Sequence, residues 1–195
     1  MVRSLVGSDM RARIVRHVFA WSLLLVAAAL SIAAPSRAED EVLVQPKVLH
    51  IAPGMTKEDA DPILKAALRY YTFWHTGEEK YARAALSPDF IDLKLPKGRA
   101  QGPEGPLAGS KGFRAAVPDL TTTAEEVWVQ GNQVIGRLKL SGHFTGTFGK
   151  LQGKGEVINF EAVDIYTVKD GKIVTNWHLE DLLTMLQQFG AIPAE

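Results

Sequence analysis

Apolar residues recur at helical spacing from Ile63 through Ala67, Tyr70 and Tyr71 to Trp74, which predicts an amphipathic helix ending near His75. Thr56 suits its N-cap. So does Asp61, which would put Pro62 at the first helical position. Gly77 suits its end. A second short helix is expected over residues 78–85 and a strand over residues 89–95. Residues 96–110, rich in Gly and Pro, read as a long loop of the kind that often covers a binding site. A third helix is expected over about residues 111–116. Beyond Leu120 the period falls to two. A strand over 125–130 meets the turn signal Gly131-Asn132. Val134, Gly136, Leu138, Leu140, Gly142 and Phe144 then alternate with polar residues and should face the interior. Residues 146–155 read as a flexible connection. Residues 157–168 form a long strand, Asp170-Gly171 a turn, residues 173–179 a last strand, and about 180–189 a closing helix. Helices first and antiparallel strands after predict an α+β architecture, with helices on one face of a curved sheet.

The N-terminal stretch does not fit this domain. Arg11, Arg13 and Arg16 precede an apolar run from Val18 to about Ala34, and Ser36-Arg37-Ala38 follows. A basic start, an apolar middle and small residues at the end predict a cleavable secretory signal peptide over residues 1–38. An uncleaved anchor helix is the rival reading, with the apolar run near the lower limit for spanning a bilayer. The product is expected to be exported, either periplasmic or secreted. Residues 39–55 read as an exposed lead-in, and residues 56–195 as one domain. The leader carries five Lys/Arg and one Asp, so 17 basic and 21 acidic residues remain, a net of −4. With no basic face, nucleic acid is not an expected partner. The chain has no cysteine, which excludes disulfides, thiolate nucleophiles and thiolate metal sites.

Candidate chemistry rests on few side chains. Asp181 sits where the last strand ends and the apolar helix begins, so its carboxylate either faces a pocket or caps that helix. Asp164 shares the parity of Phe160, Ala162, Tyr166 and Val168. If that set faces inward, Asp164 is a buried carboxylate. It would then either pair with Asp181 as a carboxyl dyad or accept a hydrogen bond from the backbone or Tyr166. His75 ends the first helix, where a protonated imidazole is favoured, or reaches a pocket mouth. His178 alternates with Trp177 and is expected to point outward, while the parity argument discounts His143. The histidines make no ligand-spaced pair, so no metal is expected, and no Gly-x-Ser-x-Gly elbow is present.

Several segments together carry a resemblance. They are Thr76-Gly77-Glu78, Ser87-Pro88-Asp89-Phe90-Ile91-Asp92, Phe113 to Leu120, and Thr145-Gly146-Thr147-Phe148. Asp164-Ile165-Tyr166, Asp170-Gly171-Lys172-Ile173, Trp177 with Asp181, and Gln188-Phe189-Gly190 complete the set. In order and spacing, over roughly residues 57–190, the chain resembles the SnoaL-like polyketide cyclase (ester cyclase) family, within the nuclear transport factor 2-like superfamily. The resemblance implies a cone-shaped α+β barrel enclosing one pocket, often a homodimer through the outer face of its sheet. It also implies acid–base ring closure by an intramolecular aldol reaction without metal or cofactor, the aspartate matching Asp181 shuttling the proton. Two polar family positions are apolar here, Leu93 and Phe144. The walls expected around a hydrophobic small molecule are Trp177, Leu93 and Phe144, with Tyr70, Trp74, Phe113 and Tyr166. Two functions are compatible with these residues. One is a cofactor-free cyclase- or isomerase-type catalyst acting on a hydrophobic carbonyl compound, with Asp181 as shuttle and Asp164 or His75 as helper. The other is a non-catalytic envelope module that binds an apolar ligand or a protein partner.

Overall fold

The structure, a computed structural model, describes residues 41–193, and the predicted leader lies outside them. The first helix, α1 (Lys57–Thr76), starts at Thr56, whose Oγ1 accepts from the Asp59 N–H at 3.1 Å. Pro62 therefore lies inside the helix and not at its first position. Gly77 closes α1 in the left-handed region, at φ 77°, its N–H bonded to the Phe73 carbonyl. The short helix α2 (Glu79–Ala85) follows, as its spacing predicts.

Six strands form one mixed sheet. In chain order they are β1 (Val48–Ile51), β2 (Leu86–Asp92), β3 (Thr121–Gln130), β4 (Gln133–Phe144), β7 (Glu156–Lys169) and β8 (Lys172–Glu180). Their spatial order is β1-β3-β4-β7-β8-β2. The central hairpins are antiparallel, while β1 runs parallel to β3 and β2 parallel to β8. Part of the expected lead-in is thus an edge strand, and Leu43, Val44, Ile51 and Met55 pack on the core. The sheet strand near residue 90 begins at Leu86 and ends at Asp92, earlier than the residue pattern suggests. Much of the Gly/Pro segment is helical: α3 spans Glu104–Ala116. The connection after β4 holds a small hairpin of β5 (Thr147–Phe148) and β6 (Leu151–Gln152). The closing helix, α4, spans Leu182–Gln188.

Two apolar clusters hold the layers together. One packs α1 and α2 on the sheet through Leu64, Ala67, Tyr71, Phe73, Val127, Leu138 and Tyr166. The other joins α3 and α4 to the far end of β4 and β7 through Val117, Phe144, Ile158, Phe160, Met185 and Phe189. Gly136 makes the first possible. A Cβ there would stand 2.1 Å from the Tyr71 hydroxyl, so α1 can approach the sheet only over a bare backbone. The alternating residues of β4 and β7 face as predicted, with Val134, Leu138, Phe144, Ile158, Phe160 and Asp164 buried.

Candidate active site

Between the two clusters lies a cavity of about 680 Å³. Tyr70 and Trp74 of α1, Phe113 of α3, and Leu138, Leu140, Phe160 and Ala162 of the sheet give it apolar walls. Exposed Pro96, Lys97 and Gly98 line its edge, so it reaches the surface at the loop after β2. On one side the wall turns polar: Asp92, Asp164, Asn176, His178 and Glu180 converge there.

Local strand geometry gathers these five. Asp164 is the inward residue of β7 opposite His178 on β8, with Asn176 two pairs further along, opposite Tyr166. The pairing shifts between Thr167 and Val168, where two β8 residues oppose one β7 step. Ile173 faces inward before that irregularity, and after it Asn176, His178 and Glu180 do. Trp177 and Leu179 are turned to the outside, 36% and 58% exposed. The simple alternation that put Trp177 inside and His178 outside is therefore inverted.

Asp164 is 7% exposed, and its Oδ1 accepts from Asn176 Nδ2 at 2.9 Å. Burial pushes its carboxyl up to about 6, the Asn176 bond and the nearby His178 charge opposing only in part. His178 lies between two carboxylates, with Nδ1 2.7 Å from Glu180 Oε1 and Nε2 3.0 Å from Asp92 Oδ1. Burial disfavours its charge. Glu180, Asp92 and Asp164 outweigh that and raise it to about 9, so both ring nitrogens donate. Burial works against the Glu180 charge too, but His178 holds that carboxyl below its usual range. Asp92 is further tied by the Lys94 N–H at 2.8 Å. Burial raises the Tyr70 phenol far above its ordinary range, which keeps it an O–H donor. The site therefore combines one near-neutral carboxyl with a carboxylate-clamped imidazolium beside apolar walls. That pairing can remove and return a proton at carbon.

The residues singled out from sequence divide. Asp164, Tyr70, Trp74 and Phe113 line the cavity. Asp181 does not: it is the N-cap of α4, and its Oδ1 accepts from the Thr184 N–H at 3.1 Å. Hydrogen bonding with Thr184 keeps its carboxyl low, the opposite of what an acid–base shuttle needs. No Asp164–Asp181 dyad forms. His75 Nδ1 sits 3.0 Å from the Thr122 carbonyl and 3.2 Å from the Thr122 N–H, pinning α1 to the start of β3 outside the cavity. Phe144 and Tyr166 are buried in the clusters, and Leu93 is 56% exposed, so none of the three is a cavity wall. Asp92, Asn176 and Glu180 are not among the site residues expected from sequence, and His178 is expected there to face outward, whereas all four line the cavity. Their signal is the run Asn-x-His-x-Glu at strand spacing, three polar residues on one face of the last strand. Among the described residues no group of three side chains suits a metal ion.

The family model for SnoaL-like polyketide cyclase matches residues 64–189. A candidate polyketide cyclase from Bacillus cereus ATCC 10987 is 39% identical, covering 78% of this chain and 96% of its own, with a TM-score of 0.69. Two more distant structures share the fold. IdmH from Streptomyces antibioticus is 24% identical over 66% of this chain and 98% of its own, with a TM-score of 0.59. A SnoaL-like protein from Jannaschia sp. CCS1 is 21% identical over 71% of this chain and 99% of its own, with a TM-score of 0.61. Among curated proteins, none matches significantly.

Proposed function

The chain belongs to the SnoaL-like polyketide cyclase family, and from that premise we propose that it is an acid–base catalyst of the cyclase type acting on an apolar carbonyl compound. In this reading Asp164 takes the place that the family resemblance implied for Asp181. The observation that carries it is the Asp164 carboxyl, buried at the cavity wall and raised to about 6. Its ionised form removes a proton α to the substrate carbonyl, and its acid form returns one after the new carbon–carbon bond has formed. Negative charge developing on the carbonyl oxygen is offset by the Tyr70 O–H and by the field of the His178 imidazolium. His178 acts through its charge, because both its N–H groups are held by carboxylates.

The reading is tested by following α-proton exchange of 2-tetralone, a simple apolar ketone, in D2O by NMR. The protein should accelerate exchange, Asp164→Asn should lower the rate by about a hundredfold or more, and Asp181→Asn should leave it unchanged. Exchange that survives in Asp164→Asn overturns the assignment. Ketone binding with no exchange in any variant favours the binding-module reading instead. We further propose export, supported by the basic, apolar and small-residue order of residues 1–38. A homodimer through the outer sheet face is also proposed, supported by exposed Ile91, Trp177 and Leu179.

A further inference from the structure

One cation at the cavity has no evident purpose in proton transfer. Arg99 lines the cavity and is only partly exposed. Among the described residues its guanidinium has no carboxylate within ion-pair distance and no hydrogen-bond acceptor. The carboxylates across the cavity are already engaged: Glu180 and Asp92 hold His178, and Asp164 holds Asn176.

The fold nonetheless fixes this arginine in position. Gln101 bonds both backbone groups of Asp92, at 2.8 Å and 2.9 Å, and the Gly102 N–H reaches the Phe90 carbonyl at 3.1 Å. The loop after β2 is thereby tied to that strand at its far end. It then runs close against α3, where a Cβ on Gly105 would meet the Ala100 carbonyl oxygen at 2.3 Å. One turn on, a Cβ on Gly109 would stand 2.9 Å from the guanidinium carbon and 3.1 Å from both terminal nitrogens. The guanidinium therefore lies flat on bare helix backbone. Its flat face is covered, and its N–H edge, the part that binds an oxyanion in bidentate fashion, is not used by the protein.

We infer that the substrate is an apolar carbonyl compound bearing a free carboxylate, and that Arg99 is the residue that binds this carboxylate. The inference rests on the proposed reading of the cavity as the substrate site. A monoanion suits the place better than a phosphate dianion. Among the cavity-lining residues of this loop only Lys97 adds a second cation, and three acidic side chains face the cavity from the other side. An ester at the same position would leave the guanidinium without a charged partner.

Calorimetric binding of 2-naphthoate and of methyl 2-naphthoate tests this without relying on turnover. The protein should bind the acid about tenfold or more tightly than the ester, as expected for a hydrogen bond to a charged group. Arg99→Gln should abolish that preference while ester affinity stays unchanged. Arg99→Lys, which keeps the charge but not the fork, should retain part of it. Asp164→Asn should keep the preference intact even where exchange is lost, so failure of the catalytic assignment and failure of this one give different results. Equal affinity for acid and ester, a preference that survives in Arg99→Gln, or no binding of either probe overturns the inference.

Discussion

At the scale of single residues, both titrating groups of the cavity make the fold less stable as pH rises, each over its own range. Asp164 has a folded value of about 6, above the ordinary unfolded value for aspartate. The folded state therefore holds the proton longer than the unfolded one, and stability falls as pH rises from about 4 through 6. Asp164→Asn should remove this slope and make the protein more stable at pH 7.5 by ~2 kcal/mol, a gain measurable in urea. A group that stabilises the fold when deleted is what a site selected for chemistry would contain. His178 has the same sign over a higher range, but here the protonated form is a stabilising cation. Its folded value of about 9 lies above the unfolded value of about 6.5, so its contribution is complete below pH 6.5 and is lost as pH rises through 9. His178→Gln should cost about 3 kcal/mol at neutral pH, because buried Asp92 and partly buried Glu180 would be left without their cation. Urea titrations of the wild type at pH 7 and pH 10 should differ in midpoint, and the His178→Gln protein should lack that difference.

Elements explain why these residues meet. The irregularity in the β7–β8 pairing reverses which residues of β8 face inward, and without it Trp177 would occupy the cavity and His178 the outside. The approach of α1 to the sheet depends on Gly136, which pairs with Asp164 and lies under the Tyr71 hydroxyl. Gly136→Ala should displace α1 and cost about 1–3 kcal/mol by overpacking. The same change should slow proton exchange, since the neighbouring Tyr70 and Trp74 of α1 are cavity walls. A variant with an unchanged denaturation midpoint would show that the helix can shift freely. The start of α4 belongs to this scale as well. Asp181 there serves the helix, and Asn can take over its cap.

At the scale of the whole molecule, the cavity and the outer sheet face lie on opposite sides of the same strands. Trp177 and Leu179 alternate with the inward Asn176, His178 and Glu180, and Ile91 lies beside them on β2, paired with Thr175. These exposed apolar side chains are what supports the proposed homodimer through this face. If two copies join there, Leu179→Glu should convert the dimer to a monomer by analytical ultracentrifugation, because a charge would be buried without a partner. Binding of the apolar ketone should persist in that monomer, since Leu179 does not line the cavity.

Periodicity is local, so it could be read from the chain. The helical stripe from Ile63 to Trp74, the two-residue period of β4 and β7, the turns at Gly131 and Gly171 and the inward parity of Asp164 were all legible. So was the α+β class, which follows from the order of the elements. Facing is not local. Whether His178 or Trp177 points into the cavity depends on the register of β8 against β7, and one extra residue in that pairing inverts the answer. Helix starts favour aspartate whether or not a pocket lies beside them, so sequence could not separate a cap from a catalyst at Asp181. Arg99 sits in a Gly/Pro-rich stretch whose pattern gives no hint that α3 begins at Glu104 and presents Gly109 beneath it. Tertiary packing buries and raises the Asp164 carboxyl, brings Asp92 from 86 residues away to clamp His178 against its strand neighbour Glu180, and among the described residues leaves one guanidinium without an ion-pair partner at the cavity.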